Sequence, residues 1–366
     1  MSQTKEARVF ILGAGCSTEC GYPLGSGFTT ELEEFLREIP DECPRIKQSV
    51  TATADLFRNL PRVETIDQLA ARIERDLSDW KRQRGSIVVG AEYLERDKLA
   101  ARQILDAKIA TCAMFLLKEA EALETGLPRY RQFITEVFGG PPWKNAVTET
   151  DCHVLTFNYD RLFEISLLNS FEDFNPETSF LYGEDALNSG FLLDGDCHRV
   201  SPKLGRFSFL KLHGSVGWWV APKRGRDQRY SPSVPSKAMS LEQIEKSIPK
   251  ECGGPFGWEP LLAFPHERQA SQEYFDQRGE SSGYGWAPYI HALWQHAASV
   301  VADATAIRVI GYSFNPIDSR YMVNELLSKA TCDKIVIQNK DVETVRKNLA
   351  SYRRLKNRLE FDPTPF

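Results

Sequence analysis

The chain has 366 residues, 42% of them hydrophobic and 26% charged, enough for one large α/β domain with insertions or for two domains. A formal net charge of −5 argues against nucleic acid or an anionic membrane as the main partner. No run of about 18 apolar residues is present to span a bilayer, and residues 1–6 lack the apolar core of a secretory signal, so a cytoplasmic location is expected.

Eight cysteines, at 16, 20, 43, 112, 152, 197, 252 and 332, are scattered with no pair separated by two residues. Paired zinc spacing is therefore absent, and the scatter does not suggest a disulfide framework. They read as reduced thiols, and no metal is expected. Two basic clusters, at 223–226 and 346–358, read as solvated faces.

In chain order, Val9-Phe10-Ile11-Leu12 reads as a first strand, followed by a Gly-rich turn and a helix over about 25–38. Residues 40–149 then change character. Ile66, Leu69, Ala70, Ile73 and Leu77 recur at spacings of three and four, the stripe of an amphipathic helix. A longer helix is expected over 92–124 and another over 128–138, stopped by Gly139-Gly140-Pro141-Pro142.

The α/β pattern resumes at 150, with strands expected at 152–156, 207–212, 306–310, 334–337 and 359–361. Helices are expected at 159–168, 286–304, 317–329 and 342–349. Residues 221–285 are rich in Gly, Pro, Ser and charge and read as an irregular excursion with one short helix at 240–247. Strands alternating with helices predict a Rossmann-like α/β fold, a parallel sheet covered on both faces, plus a mainly helical insertion. The expected division is 1–39 and 150–366 for the sheet domain and 40–149 for the insertion.

Chemistry is expected where apolar strands end in polar residues. Gly13-Ala14-Gly15-Cys16-Ser17 follows the first strand, and such a turn lets backbone N–H groups approach a pyrophosphate. Thr18 stands where the dehydrogenase fingerprint has its third glycine, so a tight turn without a ligand fits the turn alone equally well. Asn158, in Thr156-Phe157-Asn158-Tyr159-Asp160, can hold a ribose hydroxyl or orient a water, or it can cap the next helix. His213, in Lys211-Leu212-His213-Gly214-Ser215, can take a proton near neutral pH, or serve as a hydrogen-bonded structural histidine. His291 and His296 lie on an amphipathic helix and read as packing or surface residues. Gly311-Tyr312-Ser313-Phe314 and Gln338-Asn339 each follow a strand and could meet the phosphates and ribose of an adenosine half.

In this order, the motifs resemble the SIR2 (sirtuin) superfamily, over about 8–20, 150–220 and 305–340. The resemblance implies cleavage of the nicotinamide–ribose bond of NAD. It implies NAD contacts at Gly13, Ala14, Gly15, Ser17, Pro23, Thr156, Asp160, Gly311, Ser313 and Asn339, with Asn158 and His213 as the catalytic pair. Two features of the family's deacylases are missing. Leu24-Gly25-Ser26 follows Pro23 where they carry Asp-Phe-Arg, and only Cys252 falls where they carry four zinc ligands. The pattern is similar to bacterial SIR2-like NAD hydrolases of antiphage defence. That implies an effector that depletes NAD as a homo-oligomer, gated by a partner such as a HerA-type ATPase or an Argonaute-type protein. An NAD-dependent deacylase and a non-catalytic NAD- or ADP-ribose-binding subunit are the alternatives.

Overall fold

The computed structural model describes residues 8–23, 27–60, 62–84, 91–125, 127–139, 151–169, 207–220, 230–232, 240–247, 259–265, 267, 287–314 and 316–366. Strand β1 (Arg8–Leu12) is followed by helices α1 (Phe28–Glu38), α2 (Pro44–Asn59), α3 (Ile66–Arg84), α4 (Ala91–Thr125) and α5 (Pro128–Phe138). Next come β2 (Cys152–Thr156), α6 (Leu162–Asn169), β3 (Phe207–Lys211), β4 (Gly214–Val220), β5 (Tyr230–Pro232), α7 (Leu241–Ser247) and β6 (Glu259–Leu262). The chain closes with α8 (Ala287–Ala302), β7 (Ala306–Ile310), α9 (Pro316–Tyr321), β8 (Ile335–Gln338), α10 (Val342–Leu349) and β9 (Leu359–Asp362).

The main sheet has six strands in the order β3-β2-β1-β7-β8-β9. Every neighbouring pair is parallel. Parallel strands buried on both faces need near-continuous apolar runs, and Val9, Ile11, Leu12, Val154, Leu155, Ile307, Val309, Ile335 and Ile337 are all buried. The order is that of a doubly wound Rossmann sheet. From β1 the chain winds one way through β2 to β3, then crosses back and winds the other way from β7. The reversal falls between β1 and β7, and ligands of such sheets bind in the crevice beyond the carboxyl ends of the strands there.

Two apolar cores divide the molecule. Helix α5 packs on the sheet through Phe133, Ile134 and Val137. Helix α1 joins α2–α4 in the second core through Phe28, Leu32 and Phe35. That core also takes Val216, Leu262 and Phe264 from the region after β3. The excursion is accordingly not wholly irregular. β4, β5 and β6 form a small antiparallel sheet in the order β5-β4-β6, which the turn-rich composition concealed. The helix expected over 317–329 is divided as well. After α9 comes a π-helical turn over Met322–Leu326, and then a 3₁₀ turn. The wider turn lets Met322, Val323, Leu326 and Leu327 all face inward.

Helix α4 joins the two cores. Its 35 residues span about 52 Å at 1.5 Å per residue. It carries buried polar groups that its neighbours satisfy. Asp106 accepts from Ser49 (2.8 Å) and from Arg102. Lys108 pairs with Glu267 at 2.9 Å, and Glu119 pairs with Arg161, all four buried. Among the described residues no helix is long and apolar enough to cross a membrane.

Candidate active site

A cavity of about 200 Å³ opens at the carboxyl edge of the sheet, at the β1/β7 reversal. The sheet side of its wall holds Ala14, Ser17, Asn158, Asp160, His213, Gly311 and Ser313, with Pro23 beside them. These residues come from four different strand ends and are brought together by the parallel order. Gly13, Gly15, Thr156 and Asn339 do not line the cavity; they build its edge.

The edge is built by close backbone approach. Gly13 N–H donates to Ile310 O (2.9 Å) and Gly15 N–H to Gly311 O (2.8 Å). Gly311 has φ +64°, and a Cβ there would lie 2.6 Å from Cys16 N, so only glycine fits. The amides of Gly13, Gly15, Cys16 and Ser17 all donate within the protein. The Gly13 and Gly15 amides hold the β1 turn against the β7 turn, while the Cys16 and Ser17 amides close the β1 turn on itself, donating to Gly13 O and Ala14 O. Cys16 is tucked under the same contact, its thiol donating to Ile310 O at 3.3 Å, and burial pushes its pKa far up.

Thr156 shapes the second corner. Its hydroxyl donates to Leu12 O (3.3 Å) and accepts from Asn158 N–H (3.0 Å). The Asn158 amide nitrogen donates to Gly13 O (3.0 Å) and to Ser17 Oγ (3.2 Å). Ser17 Oγ donates in turn to Asp160 Oδ2 (2.7 Å), and it also meets Tyr130 OH at 2.9 Å. Asn158 does not cap α6. Asp160 Oδ1 accepts the first helical amide, from Leu162, at 3.1 Å. The Asn158 side chain is thus locked by its NH₂ group, while Oδ1, buried, has no hydrogen-bond partner among the described residues. A buried amide oxygen without a partner costs free energy unless something bonds it.

Burial raises the Asp160 pKa, and Lys211 and the bonds from Ser17 and Leu162 oppose that rise. Lys211, buried one strand over, donates to Asp160 O and pairs with Glu164 at 3.0 Å. The lysine of the Lys-Leu-His-Gly-Ser motif is therefore a brace for Asp160 and α6.

His213 sits in the tight turn between β3 and β4. Its carbonyl accepts from Ala263 N–H (2.9 Å), and Gly214 turns the chain with φ +80°. A Cβ on Gly214 would lie 1.9 Å from Leu261 O. The imidazole is 3% exposed and edge-on to Phe157, with ring centroids 5.1 Å apart; Tyr159 and Trp294 flank it at 6.1 and 6.5 Å. An aromatic box of this kind fixes the ring plane and excludes water.

Asn339 has a structural part here. Its NH₂ donates to Tyr312 O (3.0 Å) and its Oδ1 accepts from Asp341 N–H (2.9 Å), clamping the β8 corner to the β7 corner. Asn348 on α10 donates to Ser313 O at 3.0 Å and supports the same corner.

The opposite wall went unread in the sequence. Phe28, Thr65, Ile66 and Asp67 from α1 and the start of α3, with Thr111 and Phe115 from α4, line the cavity. Tyr22 closes the seam, its hydroxyl donating to Phe115 O (3.0 Å) and its ring edge-on to Phe115 at 5.1 Å. No motif marks these residues. The only signal was the Gly21-Tyr22-Pro23 step, which leads the chain from the sheet into the helices. Among the described residues no three His, Cys, Asp or Glu side chains gather to hold a metal ion. Cys197 and Cys252 lie outside the described residues.

No protein-family model matches the chain, and no curated protein matches it. Solved structures similar to it include a Sir2 homologue–NAD complex, at 13% identity and a TM-score of 0.38, covering 98% of this chain and 84% of that one. Sir2Tm bound to a propionylated peptide matches at 15% identity and 0.34, covering 99% and 89%. A Sir2 homologue mutant in complex with 2′-O-acetyl ADP-ribose matches at 13% and 0.37, covering 95% and 92%.

Proposed function

We propose that the chain is a SIR2-type enzyme that hydrolyses NAD to nicotinamide and ADP-ribose. The observation that carries this reading is the buried, partnerless Oδ1 of Asn158, held by a locked amide in the cavity that His213 also lines. An acceptor fixed in this way suits a ribose hydroxyl or an attacking water.

The volume fits a part of NAD rather than the whole. Drug-sized ligands occupy pockets of about 300–1,000 Å³, and this cavity holds about 200 Å³. The nicotinamide riboside end would enter, and the adenosine end would run outward past Ser313, which is exposed at the mouth. The nicotinamide–ribose bond breaks with its electron pair going to the ring nitrogen, and a water oxygen bonds to the ribose carbon and releases a proton. Asn158 Oδ1 orients the ribose or that water. His213 holds the ribose hydroxyls and can accept the proton. Phe157, Tyr159 and Trp294 keep bulk water from the imidazole. Acid–base help of this kind is worth roughly 10²–10⁴-fold in rate.

The test is product chromatography. Nicotinamide and ADP-ribose should accumulate in equal amounts, and His213→Ala and Asn158→Ala should each lower turnover by about two orders of magnitude or more with the fold intact. Unchanged turnover in both variants would refute the site. An acyl-lysine peptide in the same assay separates hydrolysis from deacylation, since a deacylase would release nicotinamide only when the peptide is added. The cellular role that belongs with this reading is NAD depletion in antiphage defence, gated by self-assembly or by a partner. Its check is the NAD content of cells expressing the chain with and without the neighbouring gene product.

A further inference from the structure

The helical wall puts one carboxylate into the cavity that the motifs do not account for. Asp67 lies in the first turn of α3 and lines the cavity together with Asn158 and His213. Capping of that helix end is already done. Thr65 Oγ1 accepts from Gln68 N–H (3.1 Å), and Gln68 Oε1 accepts from Glu64 N–H (2.8 Å), a variant of the capping box. Asp67 is therefore not needed as a cap.

The other carboxylate on the cavity wall is differently placed. Asp160 spends both oxygens inside the sheet domain, on Ser17 and on the Leu162 amide. Both carboxylates line the cavity, Asp160 from the sheet and Asp67 from the helical wall.

We propose that Asp67 is a third catalytic group, whose carboxylate faces the ribosyl centre and stabilises the positive charge there as nicotinamide departs. The inference rests on the NAD-hydrolase reading of the same site. In the ground state the positive charge sits on the pyridinium ring. As the bond breaks, its electron pair neutralises the ring and the charge moves to the ribose carbon and ring oxygen. A fixed negative group on the cavity wall acts on that moving charge most strongly in the transition state. The position of Asp67 is itself held. α3 packs on α4, and α4 is tied to the sheet domain by the buried Glu119–Arg161 pair and to the small sheet's end by Lys108–Glu267. The helical insertion is then part of the active site as well as a cover for it.

The experiment compares Asp67→Asn and Asp67→Glu with the wild-type chain in nicotinamide release, with NAD binding followed by calorimetry and folding by thermal melts. Asp67→Asn keeps the size and removes the charge, replacing one acceptor oxygen with an NH₂ donor. It should lower kcat by about 10²-fold, the scale of losing one preorganised electrostatic group, with KM changed less than about threefold and the melting temperature unmoved. Asp67→Glu should recover a large part of the rate. An Asp67→Asn enzyme with wild-type kcat would overturn the proposal. So would a loss of rate in both variants that follows a lowered melting temperature, since that marks a structural role. A wild-type chain that neither cleaves nor binds NAD would overturn the hydrolase reading and this inference together, whereas an active wild type with an unaffected Asp67→Asn overturns the inference alone.

Discussion

Glu119→Gln tests how firmly the helical wall is fixed to the catalytic sheet. Glu119 and Arg161 are both fully buried and meet in a two-pronged contact, Arg161 Nε to Oε2 at 2.8 Å and Nη2 to Oε1 at 2.6 Å. Arg161 directly follows Asp160, so this pair joins α4 to the corner that holds Asn158. Burial raises the Glu119 pKa, and Arg161 opposes that rise. Glu119→Gln leaves the guanidinium buried without its counter-charge, which typically costs 3–5 kcal/mol, a sizeable part of the roughly 5–15 kcal/mol by which folded domains are stable. Removing both charges with Glu119→Met and Arg161→Met should cost far less than either single change, because a buried pair gives little net stability over a well-packed apolar one. The assay is urea unfolding with midpoint and slope fitted separately. A Glu119→Gln midpoint shift worth under about 0.5 kcal/mol would refute the reasoning, because surface substitutions already reach that scale. A double variant as unstable as the single would show that packing of the long side chains, not charge, is what matters.

Gly311→Ala should destabilise the fold as well as lower turnover, because its φ of +64° and the 2.6 Å approach to Cys16 N leave no room for a methyl group; a variant with the wild-type melting temperature would contradict the close-approach account. Gly15→Val should likewise lower stability at least as much as NAD binding, since its Cβ would lie 2.7 Å from Gly311 O, and paired melts and calorimetry decide this. Glu267 is held by burial at a pKa of about 7, against an ordinary 4.5, with Lys108 opposing the rise. The folded state therefore binds a proton more tightly than the unfolded chain, so this group's contribution to stability is full below pH 4.5 and is lost as pH rises toward about 7. Unfolding free energy from pH 4.5 to 7 should fall more steeply in the wild type than in Glu267→Gln, and parallel slopes would refute the assignment. Cys16, buried and hydrogen-bonded to Ile310 O, should resist alkylation in the native state and react on unfolding, which mass spectrometry of thiol-labelled peptides would show.

The sheet half of the site was legible because parallel strands obey strong local rules. Each strand is a short apolar run, its polar end marks the carboxyl edge, and a doubly wound order sends those edges to one crevice. Asn158, His213 and the Gly311-Tyr312-Ser313 turn stand out on that ground, and the resemblance adds Ala14 and Ser17. The roles of individual residues were less legible, because they depend on which hydrogen bonds are already used. Asn339 and the Gly13 and Gly15 amides resemble ligand contacts in sequence, yet their polar groups are spent on holding neighbouring corners together. Capping, the alternative role of Asn158, is taken by Asp160.

The helical half was illegible for a different reason. A helix stripe announces which residues are buried and says nothing of what they are buried against. Ile66, Leu69 and Ile73 mark one face of α3 in the sequence, while Asp67, one residue along, carries no sign that its side meets the crevice. That meeting is set by long-range pairs, Glu119 with Arg161 across 42 residues and Lys108 with Glu267 across 159, and such pairs leave no local trace. Each charge would be costly if buried alone, so the helical wall and the catalytic sheet stabilise one another only when docked. The same pairs that are weak contributors to net stability are then strong determinants of geometry, because they fix α4, on which α3 packs, against the sheet that carries Asn158 and His213.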